Sequence, residues 1–175
     1  MCNQQQETFR QTEGKLYWYY ETLKRTELMR GKLEQIQDQR ITLQRFQHEY
    51  LEAYAYHGTK GQYCSERVQG KKSIYYSSID AAHEAIQDLN QDILLLLKAQ
   101  IDIWRRISRN EKEMLPVEQA INYLSKADRE ICEYKYKYKM SFDEIAKAVS
   151  MSKSGVRHRR RKIVAFIYKY LIEMI

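Results

Sequence analysis

Proline and glycine are scarce in this sequence, with one proline and six glycines in 175 residues. These two residues most often interrupt helices and strands and form turns, so a sequence with few of them has few turns. The sequence is instead rich in Gln, Glu, Lys and Arg, which are good helix formers. We therefore predict an all-α protein in which long helices dominate.

Cysteine is also scarce, and the three cysteines, at positions 2, 64 and 132, are widely spaced. No Cys-x-x-Cys pair or Cys/His cluster with zinc spacing occurs, which argues against a metal site or a disulfide framework. No apolar run approaches the roughly 18 residues of a membrane span, and the polar N-terminus predicts no signal peptide. We expect reduced thiols, a cytoplasmic location and no membrane partner.

The residue patterns of common enzymes are missing as well. The four histidines are isolated from one another, and the pair His83-Glu84 lacks the second histidine of a zinc-protease helix. No glycine-rich phosphate loop occurs, and no nucleophile has a base at a recognisable spacing. The sequence therefore predicts a protein that is not an enzyme and uses no cofactor.

Two long helices are predicted in the first two thirds of the chain. Residues 5–56 carry a narrow apolar seam that repeats every seven residues. A second helix, from near Ser77, has a seam with alternating steps of three and four: Ile79, Ala82, Ile86, Leu89, Ile93, Leu96, Gln100, Ile103 and Ile107. Such seams are typical of a helical hairpin or coiled coil. The partner helix would come from the same chain or from a second copy in a homo-oligomer.

Two breaks divide this pattern. Residues 57–76 contain three of the six glycines and predict a linker. A second break is predicted at residues 110–115, because Pro116 suits the first position of a new helix. We therefore predict a helical or coiled-coil region over residues 1–113 and a separate domain over residues 114–175.

Positive charge is concentrated at the C-terminal end. The chain has 30 basic and 23 acidic residues, a net charge of +7. Residues 1–124 hold 17 of each sign, so the whole excess lies in residues 125–175. A charge excess confined to one end indicates a polyanionic partner at that end.

Residues 141–162 have the pattern of a helix-turn-helix. Ser141 is a predicted N-cap with Glu144 three residues later, which is the spacing of a capping box. Ile145 and Val156 are predicted to face each other across the turn, and Ser152 is a predicted cap of the second helix. From Lys153 to Lys162 there are six Lys and Arg residues and no acidic one. A cationic helix held on a second helix suits the major groove of DNA.

The segment from Leu124 to Ile163 resembles DNA-binding region four of sigma-70 factors. The matching frame is Leu124, Arg129, Ile131, Tyr136 or Tyr138, Ser141, Glu144, Ile145, Ala146, Val149, Ser152, Val156 and Arg157. With the helices before it, the chain also resembles phage and prophage transcriptional regulators of the ArpU/RinA type. The sequence departs from the family at Ser150, where glycine is common and a left-handed backbone is needed, and at Gly155 and Arg159.

The resemblance implies a set of DNA contacts at the start of the second helix. These residues are Ser152, Lys153, Ser154, Arg157, His158, Arg159, Arg160, Arg161 and Lys162. Arg157 and Arg161 would read bases because arginine pairs with guanine through two hydrogen bonds. Ser152 and Lys153 would contact phosphate, and Arg159 and Lys162 would clamp the DNA backbone.

The function predicted from the sequence is a sequence-specific DNA-binding transcription regulator of phage type, a late-gene activator that acts with RNA polymerase on double-stranded DNA. One alternative is a complete small sigma-like factor, in which Tyr17, Trp18, Tyr19 and Tyr20 would stack on unpaired bases. Two others are a packaging or structural protein that binds DNA without sequence preference, and a coiled-coil adaptor that binds no DNA.

Overall fold

A computed structural model describes the backbone of residues 2–61 and 72–173, and the side chains of residues 6–52 and 83–173. In these ranges all regular structure is helical, which confirms the all-α prediction. The helices are α1 (Cys2–Gly61), α2 (Lys72–Asn122), α3 (Lys126–Cys132), α4 (Phe142–Ala148) and α5 (Lys153–Glu173), with a π-helical turn at Glu133–Lys137 after α3. None of the described helices is long and apolar enough to cross a membrane.

The predicted linker over residues 57–76 is helical at both of its ends. Residues 57–61 still belong to α1 and residues 72–76 already belong to α2; the part between them, residues 62–71, lies outside the described residues. Extending a helix that has already formed adds one hydrogen bond for each residue fixed. The glycine at position 58, which is unfavourable in a helix by about 1 kcal/mol, therefore does not end α1.

The predicted break at residues 110–115 is wrong, because α2 runs through it and contains Pro116. A proline inside a helix costs roughly 3 kcal/mol. Met114, Val117 and Ile121, on both sides of the proline, are buried in the core. Burying such side chains contributes about 1.5–3 kcal/mol each, so continuing the helix outweighs the cost of the proline.

The chain divides into two compact units, and this division differs from the predicted boundary between residues 113 and 114. The first unit combines the chain up to Leu28 with the chain from Ile107 onward, and the second is Met29–Arg106. The terminal helices thus share one unit with the first half of α1.

The first unit has a continuous apolar core to which all five helices contribute. Its buried members are Leu16, Tyr19, Tyr20, Met114, Val117, Ala120, Ile121, Ile131, Cys132, Tyr136, Ile145, Ala146, Val156, Ile163, Val164, Ile167 and Leu171. Burial raises the pKa of the Cys132 thiol to about 12, with the carboxylates of Asp128 and Glu133 adding to the shift. This cysteine is therefore a protonated core residue.

In the second unit, α1 and α2 form an antiparallel hairpin. The Gln47 side-chain amide donates to the Asn90 side-chain oxygen at 2.7 Å, and Ile36 and Ile93 are buried. Side chains from residues 38–43 of α1 and residues 92–96 of α2 line a shared, mostly apolar groove. Ile93 and Leu96, which face α1 in this hairpin, belong to the seam that the three-and-four spacing predicts on α2.

Candidate nucleic-acid interface

A capping box begins α4, as the sequence predicts. The Ser141 hydroxyl accepts from the Glu144 backbone N–H at 3.3 Å, and the Glu144 carboxylate accepts from the Ser141 N–H at 2.7 Å. The backbone hydrogen bond lowers the pKa of Glu144 below 4.5, and the Ser141 hydroxyl lowers it further. The start of α4 is therefore defined by two reciprocal hydrogen bonds.

A short turn joins α4 to α5. Ser150 has a φ of 51°, which is the left-handed backbone expected at this position and one that favours glycine. The Met151 N–H donates to the Ala146 carbonyl at 2.9 Å and closes the turn. The chain then enters α5. The turn fixes how α5 is oriented relative to α4.

Ser152 caps α5, which confirms the second predicted cap. Its hydroxyl accepts from the Gly155 N–H at 3.1 Å and lies 3.1 Å from the Ser154 hydroxyl. A Cβ on residue 155 would lie 3.1 Å from the Ser152 hydroxyl oxygen. Glycine at position 155 therefore leaves room for the capping hydroxyl.

Two apolar side chains join α4 to α5. Ile145 and Val156 are both 0% exposed and belong to the same core, as the helix-turn-helix pattern predicts. Along α5 the core side continues through Ile163, Val164, Ile167 and Leu171. Because these residues occupy one side of α5, the residues between them are turned toward solvent.

The exposed side of α5 carries much of the basic cluster. Arg157, His158, Arg161 and Lys162 are exposed, and we call these four residues the basic face. Arg157 and Arg161 lie about one helical turn apart on this side. The Arg157 guanidinium also lies 5.4 Å from the centre of the Phe142 ring of α4. Ser152 and Ser154, exposed at the helix start, are next to the basic face.

Two of the predicted DNA contacts, Lys153 and Arg159, form ion pairs within the protein. The Lys153 ammonium lies 2.7 Å from the Asp143 carboxylate of α4. The Arg159 guanidinium lies 3.5 Å from Asp128 of α3, whose other carboxylate oxygen accepts from the Ser125 hydroxyl at 2.7 Å. Both cations are at least partly exposed, but each is directed toward an acidic neighbour at the start of a helix.

Arg160 does not belong to the basic face, so its role as a DNA contact stays a prediction that its surroundings do not favour. It lies on the core side of α5, four residues after Val156 and four before Val164. Its Nε donates to the Glu13 carboxylate of α1 at 2.7 Å, and the two side chains are 21% and 18% exposed. The structure thus places Arg160 against α1.

Sequence reasoning missed the acidic and aromatic residues around these cations. Glu13, Asp128 and Asp143 each pair with a basic residue of α5. Phe142 contacts Lys135, Arg157 and Arg160. The partial burial of Arg160 has a signal in the sequence, because its position continues the apolar spacing of α5. None existed for Glu13, which lies 147 residues away in the sequence.

The four aromatic residues at positions 17–20 face different surroundings. Tyr19 and Tyr20 are buried in the core, Tyr17 is half-buried, and Trp18 is exposed. Burial raises the pKa of Tyr19 to about 12, with Glu118 and Glu133 contributing. Rings that stack on unpaired bases must be accessible, and two of these four, Tyr19 and Tyr20, are not.

No family model matches this chain, and the searches of curated proteins and of solved structures find no match either.

Proposed function

We propose that this chain is a sequence-specific DNA-binding transcription regulator of phage type. The observation that carries the proposal is the basic face on α5, which is exposed while the opposite side of the same helix is anchored to α4. A cationic helix supported in this way has the geometry that enters a major groove. The concentration of net charge in residues 125–175 supports the same partner.

The four residues of the basic face and the two exposed serines next to it each have a role in this proposal. Arg157 and Arg161 read guanine edges, because a guanidinium offers two parallel donors to O6 and N7. Ser152, Ser154 and the first backbone N–H groups of α5 lie where a phosphate binds at a helix N-terminus. His158 and Lys162 contact the DNA backbone beside the groove. Arg160 is left out of the contact set because of its pairing with Glu13.

Activation of transcription requires a protein contact besides DNA binding, and we propose RNA polymerase as the protein partner. This follows from the resemblance of residues 124–163 to sigma region four. The burial of Tyr19 and Tyr20 favours such a regulator over a complete sigma-like factor, because strand opening needs accessible aromatic rings. A complete sigma-like factor is expected to open a promoter with core polymerase alone, and this regulator is not.

We further propose that the chain forms a homodimer through one exposed face of α2. Leu94, Ile101 and Trp104 are 55%, 46% and 60% exposed, and with Leu97 they define the α2 face. The spacing of the four residues, three, four and three, is the same in both directions. An antiparallel pair of α2 helices therefore places Leu94 of one copy opposite Trp104 of the other, as a twofold interface requires.

The dimer is tested by sedimentation equilibrium. Ile101→Asp places a charge in the middle of the α2 face, and we expect the variant to sediment as a monomer. Phe46→Asp makes the same change at another exposed apolar residue, on α1, and is expected to remain dimeric. A wild-type chain that stays monomeric at tens of micromolar contradicts this part of the proposal.

The DNA-binding function is tested by selecting bound duplexes from a random library with the full chain. We expect a defined site bound at least about a thousandfold more tightly than random duplex at physiological salt. A packaging or structural protein is expected to bind every sequence equally, with a steep salt dependence. A coiled-coil adaptor is expected to select nothing, and either result overturns the proposal.

A further inference from the structure

Arg160 occupies a position that an apolar residue would be expected to fill. It lies on the core side of α5 between Val156 and Val164, both of which are buried. Its Nε donates to the Glu13 carboxylate at 2.7 Å, and both side chains are largely shielded from water. A shielded charge is tolerated when it is paired in good geometry, and Glu13 supplies that pair from α1.

Further groups complete the surroundings of this ion pair. The Tyr136 hydroxyl donates to the same Glu13 oxygen at 2.9 Å. The Arg160 guanidinium lies 5.1 Å from the Phe9 ring centre and 5.3 Å from that of Phe142. Phe9 and Glu13 are four residues apart and so share one side of α1. Three separate segments of the chain therefore meet at one guanidinium.

The protonation states of the donors are secured by the same surroundings. Burial raises the pKa of the Tyr136 hydroxyl, and the charge of Glu13 together with their hydrogen bond raises it further. Burial alone would lower the pKa of Arg160, but its hydrogen bond and ion pair with Glu13 outweigh this effect and raise it. Both groups therefore remain hydrogen-bond donors throughout the neutral pH range.

Such a site restricts the rotation of α5 more than apolar contacts can. Apolar packing is not directional, whereas a charge-assisted hydrogen bond depends on angle as well as distance. Each residue of an α-helix turns the side-chain direction by about 100°. A rotation of α5 by about 50°, half of this angle, would therefore turn Arg157 away from the groove and bring His158 toward it.

We propose that Glu13 is a positioning residue for DNA recognition, which fixes the rotation of α5 through Arg160 and Tyr136. The inference rests on the proposed DNA-binding function. In this proposal the first turns of α1 contribute to sequence recognition, although they do not contact DNA. Arg160 contributes to recognition by holding the helix and not by contacting phosphate.

The test compares Glu13→Gln with wild type on the selected duplex and on random duplex. Glutamine has nearly the same shape but no charge. We expect the ratio of specific to random affinity to fall about tenfold, which corresponds to disturbing one base contact. The slope of log affinity against log salt should stay within about 0.3 of the wild-type slope, because no phosphate contact is lost. A loss of folded protein would lower both affinities equally, so the ratio isolates positioning.

Glu7→Gln is the matched control. Glu7 is an exposed residue of the same helix, and its variant should leave the ratio unchanged. Combining Glu13→Arg with Arg160→Glu reverses the pair, and we expect it to recover at least part of the lost ratio. An unchanged ratio in folded Glu13→Gln overturns the inference, and so does a loss of salt slope in Arg160→Gln as large as in Lys162→Gln, which removes a proposed phosphate contact.

Tyr136→Phe gives a second variant if Glu13→Gln does not fold. It removes one neutral donor and keeps the ion pair, so the expected fall in the ratio is smaller, about threefold. An unchanged ratio in this variant would then overturn the inference. If the wild-type chain prefers no DNA sequence, both the proposed function and the inference are wrong. If wild type and Glu13→Gln prefer the selected duplex over random duplex by the same ratio, only the inference is wrong.

Discussion

At the scale of single residues, caps were easier to predict than charges. The sequence predicts capping roles for Ser141, Glu144 and Ser152, and all three make the expected hydrogen bonds. Cap signals are local, since donor and acceptor lie within three residues. The environment of Arg160 depends on a carboxylate 147 residues away, and its basic side chain suggested solvent. Its spacing from Val156 was the better guide.

The capping box leads to a prediction about stability. Ser141→Ala removes the hydroxyl acceptor at the start of α4 and should lower the free energy of unfolding by about 1 kcal/mol. Lys147→Ala, at an exposed residue of the same helix, should change it by less than about 0.5 kcal/mol. Urea unfolding followed by circular dichroism measures both. Equal stability of wild type and Ser141→Ala would argue against the capping box.

The same cap should depend on pH. Because the pKa of Glu144 is lowered from 4.5 in the folded protein, its stabilising effect is complete above 4.5 and is lost as pH falls through the lower folded value. The stability difference between wild type and Glu144→Ala should therefore shrink when the urea series is repeated from pH 6 down toward pH 3. A difference that is constant over this range would contradict the assignment.

At the scale of helices, existence was predictable and boundaries were less so. The long helices, the short α4 and the start of α5 follow from periodicity and capping. The continuity of α2 through Pro116 does not, because it depends on burying Met114, Val117 and Ile121 in a core formed by other helices. The π-helical turn at Glu133–Lys137 has no signal in the sequence that distinguishes it from a regular helix. Tyr136, inside this turn, is buried and bonded to Glu13.

Pro116→Ala distinguishes a continuous α2 from two helices. In the interior of a helix, alanine restores a backbone donor and should raise the free energy of unfolding by about 1–3 kcal/mol. At the first position of a separate helix, the same change would have almost no effect. Thermal unfolding of the full chain measures the difference. A melting temperature that is unchanged or lower would contradict the continuous helix.

At the scale of the whole chain, the sequence could not reveal which segments pack together. Composition and charge placed a separate domain at residues 114–175, but the compact unit around the helix-turn-helix also includes the chain up to Leu28. Leu16, Tyr19 and Tyr20 of α1 fill its core. Periodicity shows that a helix has an apolar side, but it does not identify the segment that covers that side.

Leu16→Ala tests this shared core. Leu16 is 0% exposed, so its truncation should lower the free energy of unfolding by about 2–5 kcal/mol. Leu28→Ala changes the same residue type on the same helix at a side chain that is 68% exposed, and should cost less than about 0.5 kcal/mol. Urea unfolding that gives equal effects for the two variants would refute a core shared with α1.

The central claim is that the basic face of α5 binds duplex DNA, and charge reversal on that face tests it most directly. The affinity of the full chain for the selected duplex is measured against salt for Arg157→Glu with Arg161→Glu, and for Lys169→Glu, an exposed lysine near the end of the same helix. We expect the double variant to lose at least about a hundredfold in affinity, because two guanine contacts are lost and two negative charges face the duplex, and Lys169→Glu to stay within about threefold of wild type. A double variant that binds as tightly as wild type, with the same salt slope, contradicts the claim.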